Sequence, residues 1–154
     1  MISWAPDLDT VNGVIVFDGS LVPQFGVLDA PVRVYMKNGV IDHVEGGTFA
    51  AKWEQFMRDF HHPQRLRPAH VCVGFHPNAK ITGQLGEDER VWGGSQWGFG
   101  NVGSFLIPPH GIPAPSHIDG TCLNASIYLD GTPITLDGKI VDPSLQEYAK
   151  RLGK

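Results

Sequence analysis

The chain has little of several things that would point to particular functions. It carries only two cysteines, Cys72 and Cys122, in 154 residues. Each sits in an apolar, strand-like run where a reduced thiol behaves as a small hydrophobe, so no disulfide framework is expected. Charged side chains make up 18% of the chain, with twelve basic against sixteen acidic for a formal net charge of −4. Neither sign is gathered into a block that could grip phosphates, so nucleic acid is not an expected partner. Apolar runs are short: Val14 to Phe17 and Val71 to Phe75 fall far below the roughly 20 residues that cross a bilayer, and no membrane span is expected. The opening Met1-Ile2-Ser3-Trp4-Ala5-Pro6-Asp7 has no basic n-region and no apolar h-region. It does not read as a secretory signal, and a cytoplasmic protein is the expectation. A glycine-rich phosphate loop, a Gly-x-Ser-x-Gly elbow and a Cys-x-x-Cys pair are all missing, which leaves nucleotide, serine-hydrolase and zinc-ribbon readings unsupported.

Glycine (19) and proline (12) are plentiful instead, a balance that suits a turn-rich β protein with helix in the minority. The length fits one domain, residues 1–154. Gly13 to Phe17 and the period-two alternation of Pro31 to Met36 predict strands. Lys37-Asn38-Gly39 then carries the Asn-Gly pair of a type I′ hairpin, with Val40 to Val44 as the returning strand. Phe49, Trp53, Phe56, Met57 and Phe60 recur at three- and four-residue spacing, which predicts an amphipathic helix over residues 48–60. Ala69 to Phe75 returns to strand composition. The stretch from Gly83 to Pro115 is dense in Gly, Pro and aromatics and reads as long, irregular and functional. Ala125 to Leu129, Ile134 to Leu136 and Ile140-Val141 are strands joined by Asp-Gly turns, and Asp142 is placed to cap a final short helix. Together these predict a β-rich α+β domain of mostly antiparallel hairpins packed around one main helix.

Chemistry concentrates in Ser116-His117-Ile118-Asp119-Gly120. An extended backbone throws His117 and Asp119 to one face, about 6.5 to 7 Å apart at Cα, with Ile118 turned to the core. One metal ion can bridge that gap, but a third ligand is needed. The strand Ala69 to His76 offers two candidates, because alternation puts His70, Cys72, Gly74 and His76 on one face. A straight strand separates positions 70 and 76 by about 20 Å, so one of the two should reach the ion, and spacing alone does not choose. Two imidazoles and one carboxylate leave adjacent positions open on the metal, the arrangement associated with iron(II) enzymes that activate O₂. Catalytic zinc uses the same residue types, so the donor set does not name the metal. Trp92 and Trp97 lie in glycine-rich settings that leave room beside a ring for a planar ligand.

Read end to end, the chain resembles the carboxy-terminal part of 2,5-dihydroxypyridine 5,6-dioxygenases, which are similar in fold to thermophilic-type metalloaminopeptidases. The resemblance rests on Asn12 to Asp18, the hairpin ending Val44-Glu45-Gly46-Gly47, Ala69 to Gly74, His117-Ile118-Asp119 and Ile127 to Asp130. It implies Fe(II) held by His70, His117 and Asp119, and so selects His70 over His76. It also implies ring opening of a small hydroxylated aromatic or N-heterocyclic substrate by O₂. In the aminopeptidases a metal-binding glutamate corresponds to His70 and a histidine ligand falls near Gln96. Both differ here, which implies a mononuclear site in place of a two-metal hydrolase using zinc or cobalt. The substrate pocket is expected to draw on His76, Trp92, Gln96 and Trp97, with the metal at the sheet edge. Family members are longer, so acid–base residues are expected from an amino-terminal domain that this sequence lacks. A homo-oligomer, or a partner supplying that domain, is expected to cover the apolar surface; a truncated, non-catalytic relative is the remaining alternative.

Overall fold

The computed structural model describes residues 1–154. The first half contains strands β1 (Ile2–Trp4), β2 (Gly13–Phe17), β3 (Ser20–Val22), β4 (Gly26–Val27), β5 (Val32–Lys37) and β6 (Val40–Gly46), then helix α1 (Thr48–Arg58). The second half contains β7 (Pro68–Val73), α2 (Leu85–Asp88), β8 (Ser95–Val102), β9 (Ile112–Cys122), β10 (Ile127–Leu129), β11 (Thr132–Leu136), β12 (Lys139–Ile140) and α3 (Pro143–Arg151). The fold is therefore a β-rich α+β arrangement, as the composition predicts.

A six-stranded sheet in the order β1-β7-β8-β9-β3-β4 lies beside two three-stranded sheets, β2-β5-β6 and β10-β11-β12. Adjacent strands in all three pair antiparallel. The β5–β6 hairpin turns at Asn38 and Gly39 with φ of 50° and 71°, the left-handed pair that a type I′ turn requires. The Asp130-Gly131 and Asp137-Gly138 turns share that geometry.

On β5, Val32, Val34 and Met36 point inward while Arg33 and Lys37 face solvent. The inward set meets Ala50, Trp53 and Met57 of α1 and, from the large sheet, Leu21, Phe99 and Ile118. At its centre Phe17, Trp53 and Phe99 pack edge to face, with ring centroids 5.7 to 6.3 Å apart. Truncating a buried aromatic of this kind costs about 3–5 kcal/mol. The core thus fixes one face of the large sheet and leaves the other face of β7, β8 and β9 to build a site.

Several expectations are corrected. Helix α1 ends at Arg58, and Phe60 lies beyond it, largely exposed, under the Arg65 guanidinium. The stretch from Gly83 to Pro115 is not irregular throughout, because it contains all of β8 and the start of β9. Glycines disguise β8. A side chain at Gly100, where φ is +97°, would strike the Ser116 carbonyl, and one at Gly98 would strike two histidine rings. The final helix begins as expected, with Asp142 Oδ1 accepting from Ser144 N at 2.8 Å. No helix is long and apolar enough to cross a membrane.

Candidate metal centre

Strand pairing, rather than proximity in sequence, assembles the site. His70 on β7 is in register with Gly98 on β8, and Gly98 is in register with Asp119 on β9. His117 follows two residues before Asp119, opposite Gly100. Alternation puts His70, His117 and Asp119 on one sheet face, while Ile118 enters the core on the other. Their donor atoms all lie within 4.8 Å of one another. The group sits over the three central strands, which corrects the expected placement at the sheet edge.

The geometry around Asp119 is unusual for a carboxylate that is 1% exposed. Its Oδ1 is 3.2 Å from His70 Nε2 and its Oδ2 is 3.2 Å from His117 Nε2. Despite those distances neither contact has hydrogen-bond geometry, and both oxygens are left without a partner. The imidazoles stack nearly parallel, 5° between planes and 5.1 Å between centroids. Three donors therefore converge on a common point instead of satisfying one another. Metal–ligand bonds of about 2.1 Å at right angles place donors about 3.0 Å apart, so the two 3.2 Å edges fit ligands around one cation. A buried carboxylate with no donor is otherwise costly, and a cation removes the cost.

A second contact orients His117. Its Nδ1 lies 2.7 Å from the Asn101 carbonyl oxygen, which can only accept, so Nδ1 carries the proton and Nε2 turns its lone pair toward Asp119. Burial works to lower the His117 pKa, but Asp119 beside it, the Asn101 carbonyl and the charge of Glu89 outweigh burial and hold it above the usual histidine value. For His70 burial wins: its pKa is lowered, with His117 adding to the effect and Asp119 opposing it. Two residues along β7 from His70, the buried Cys72 thiol is pushed up to about 12 by burial and by the charges of Glu89 and Asp119.

An open cavity of about 280 Å³ lies against the triad, lined elsewhere by Leu85, Glu89, Asn101, Gly103, Phe105 and Leu106. None of the four pocket residues expected from the sequence lines it. Gln96 shares the triad's sheet face but is buried, donating to Thr121 Oγ1 at 3.1 Å. Trp97 points through the opposite face of β8 into a cleft with Trp4, Val71 and Val73. Trp92 packs edge to face on Phe75 near Ile140 and Ala149, and His76 Nδ1 accepts from Asn78 N at 3.2 Å in a loop beyond β7. The residues that do line the cavity gave little warning. Glu89 ends the acidic run Glu87-Asp88-Glu89, which reads as a solvated turn, and Phe105 has no periodic neighbours.

Residues 1–142 match the family model described as 2,5-dihydroxypyridine 5,6-dioxygenase. A protein of that name from Pseudomonas putida is 26% identical over 152 residues, covering 93% of this chain and 43% of the relative. The structure of the 2,5-dihydroxypyridine dioxygenase from Pseudomonas putida KT2440 superposes with a TM-score of 0.75 at 20% identity, over 90% of this chain and 42% of that one. Wild-type AmpT from Thermus thermophilus superposes with a TM-score of 0.68 at 17% identity, over 90% of this chain and 38% of the other. At those identities the two structures share the fold. The chain spans about two fifths of the length of these relatives. Because the family match takes in most of its residues, the chain belongs to the 2,5-dihydroxypyridine 5,6-dioxygenase family.

Proposed function

We propose that this chain is the metal-binding part of a mononuclear non-haem iron(II) dioxygenase that opens a small hydroxylated N-heterocycle or related aromatic ring, with His70, His117 and Asp119 as the ligands. The observation that carries the reading is the Asp119 carboxylate, buried with both oxygens unpartnered between two imidazole Nε2 atoms. When bound, iron(II) would supply the redox chemistry that couples the ring to O₂, with open positions beside a two-histidine, one-carboxylate set. The chain's own residues hold the ion and shape the space beside it. Asp119 offsets cationic charge, and the Asn101 carbonyl, by accepting from His117 Nδ1, strengthens Nε2 as a donor. Leu85, Phe105 and Leu106 give a planar ring apolar walls. The chain corresponds to the carboxy-terminal domain of a two-domain family, and the acid–base groups for proton transfer come from the amino-terminal domain. Exposed Ile2, Tyr128 and Leu129 support an assembled state such as a homo-oligomer.

A hydrolase using zinc or cobalt is the second reading, favoured by the fold shared with AmpT. Oxygen uptake separates the two. With Fe(II) added anaerobically and 2,5-dihydroxypyridine as substrate, the dioxygenase reading predicts O₂ consumption that depends on both. Peptide hydrolysis stimulated by zinc or cobalt, without oxygen uptake, would support the hydrolase. Iron binding with neither activity would leave this chain as the metal-holding half of an assembly.

A further inference from the structure

The cavity beside the triad holds one more charged group. We propose that Glu89 recognises the substrate, accepting a hydrogen bond from a hydroxyl or ring N–H of a monocyclic ring seated between it and the triad. The inference rests on the reading of the triad as a metal centre for such a ring.

Glu89 belongs to the cavity and not to the ligand set. It lines the same 280 Å³ space as His70, His117 and Asp119 but is absent from the group of donors that lie within 4.8 Å of one another. Its backbone is anchored beside them. Glu89 caps the carboxy-terminal end of α2, with its N–H donating to Leu85 O at 3.3 Å. Its own carbonyl oxygen is 3.9 Å from Cys72 Sγ, on the sheet face that carries His70. The side chain is only 15% exposed. One carboxylate oxygen is bonded by Arg90, whose guanidinium is also tied to the Gly86 carbonyl. The other oxygen makes no hydrogen bond within the protein.

The oxygen that Arg90 leaves free is an acceptor for a ligand's donor, and the remaining walls offer none of comparable strength. Beyond the triad they are Leu85, Gly103, Phe105 and Leu106, with Asn101 lending its carbonyl to His117. A ligand that fills the space therefore meets the metal side at one end, apolar walls around its plane and a carboxylate as its second polar contact. Pockets for drug-sized ligands measure about 300–1,000 Å³, so a cavity of about 280 Å³ suits a single ring. The negative charge of Glu89 favours rings that carry a donor and disfavours rings that carry a carboxylate.

The test is calorimetric titration of the full chain loaded with Zn(II), which avoids turnover, using 2,5-dihydroxypyridine and unsubstituted pyridine as probes. A hydrogen bond to a charged group contributes about 1.5–3 kcal/mol, so Glu89→Gln is expected to weaken the dihydroxylated ring by at least tenfold. Zinc stoichiometry and the affinity for pyridine, which has no donor to offer, are expected to stay unchanged. Equal affinities of wild type and variant for 2,5-dihydroxypyridine overturn the inference alone. Loss of zinc in Glu89→Gln also overturns it, by making Glu89 a ligand. A wild-type chain that binds zinc but neither ring removes the reading beneath it as well.

Discussion

His70 and Asp119 face each other across Gly98, in register on strands either side of β8, with Nε2 and Oδ1 3.2 Å apart. Gly98 has no side chain because there is no room for one. A Cβ there would lie 2.5 Å from His70 Cε1 and 2.8 Å from His117 Cε1, and would also strike His70 Nδ1. Gly98→Ala is therefore expected to push both imidazoles out of line. Overpacking of this kind costs about 1–3 kcal/mol, so the fold should persist while metal binding is lost. Thermal melting and metal stoichiometry on the same sample check this; a variant that binds metal as wild type does would show that Gly98 does not set the ring positions.

Metal should also stabilise the chain through these side chains. Ligand at a hundredfold excess over Kd adds about 2.7 kcal/mol, a rise in Tm readily seen for wild type on adding Fe(II) or Zn(II). In His70→Ala and Asp119→Ala that rise is expected to vanish. A shift of the same size in either variant would place the metal elsewhere.

Acid should weaken binding from above the ordinary histidine pKa of about 6.5. His117 holds its proton more tightly than usual, mainly through Asp119, against the opposing effect of burial. Binding must displace that proton, so affinity is expected to fall about tenfold per pH unit below the raised value. His70, with its lowered pKa, is already neutral there and adds no second proton. In the metal-free chain the His117 shift works the other way: its stabilisation is fully present below about pH 6.5 and is lost as pH rises through the raised value. Zinc affinities measured by competition across this range give the slope, and a flat profile, or a two-proton slope near neutrality, contradicts the assignment.

Both cysteines should be unreactive in the folded chain. Burial, opposed by nearby hydrogen bonds, pushes the Cys72 and Cys122 thiols to about 12, so almost no thiolate is present near neutral pH. Iodoacetamide at about pH 8 is expected to modify neither in native protein and both after denaturation; rapid native labelling would contradict this.

Local signals were legible in the sequence and long-range ones were not. The Asn38-Gly39 turn, the face of α1 carrying Trp53 and Met57, and the Asp142 cap each depend on neighbours within a few residues. The same holds for His117 and Asp119 on one face with Ile118 on the other. Bringing His70 to Asp119 instead depends on a register between residues 49 apart in sequence, which spacing cannot encode; resemblance to a family chose His70 over His76. Strand β8 was hidden because Gly98 and Gly100 answer to close approach and not to strand propensity. Trp97 looked like a pocket wall for the same reason, since the strand that turns it to the opposite face was not recognised. Glu89 reaches the cavity only because α2 folds back over Cys72.

The most direct measurement is the metal content of protein reconstituted anaerobically with Fe(II), by elemental analysis, for wild type, His70→Ala, His117→Ala and Asp119→Ala. One iron per chain in wild type and almost none in each variant is the expected result. Two metals per chain, no metal in wild type, or iron retained at full stoichiometry in any one of the three variants would contradict it.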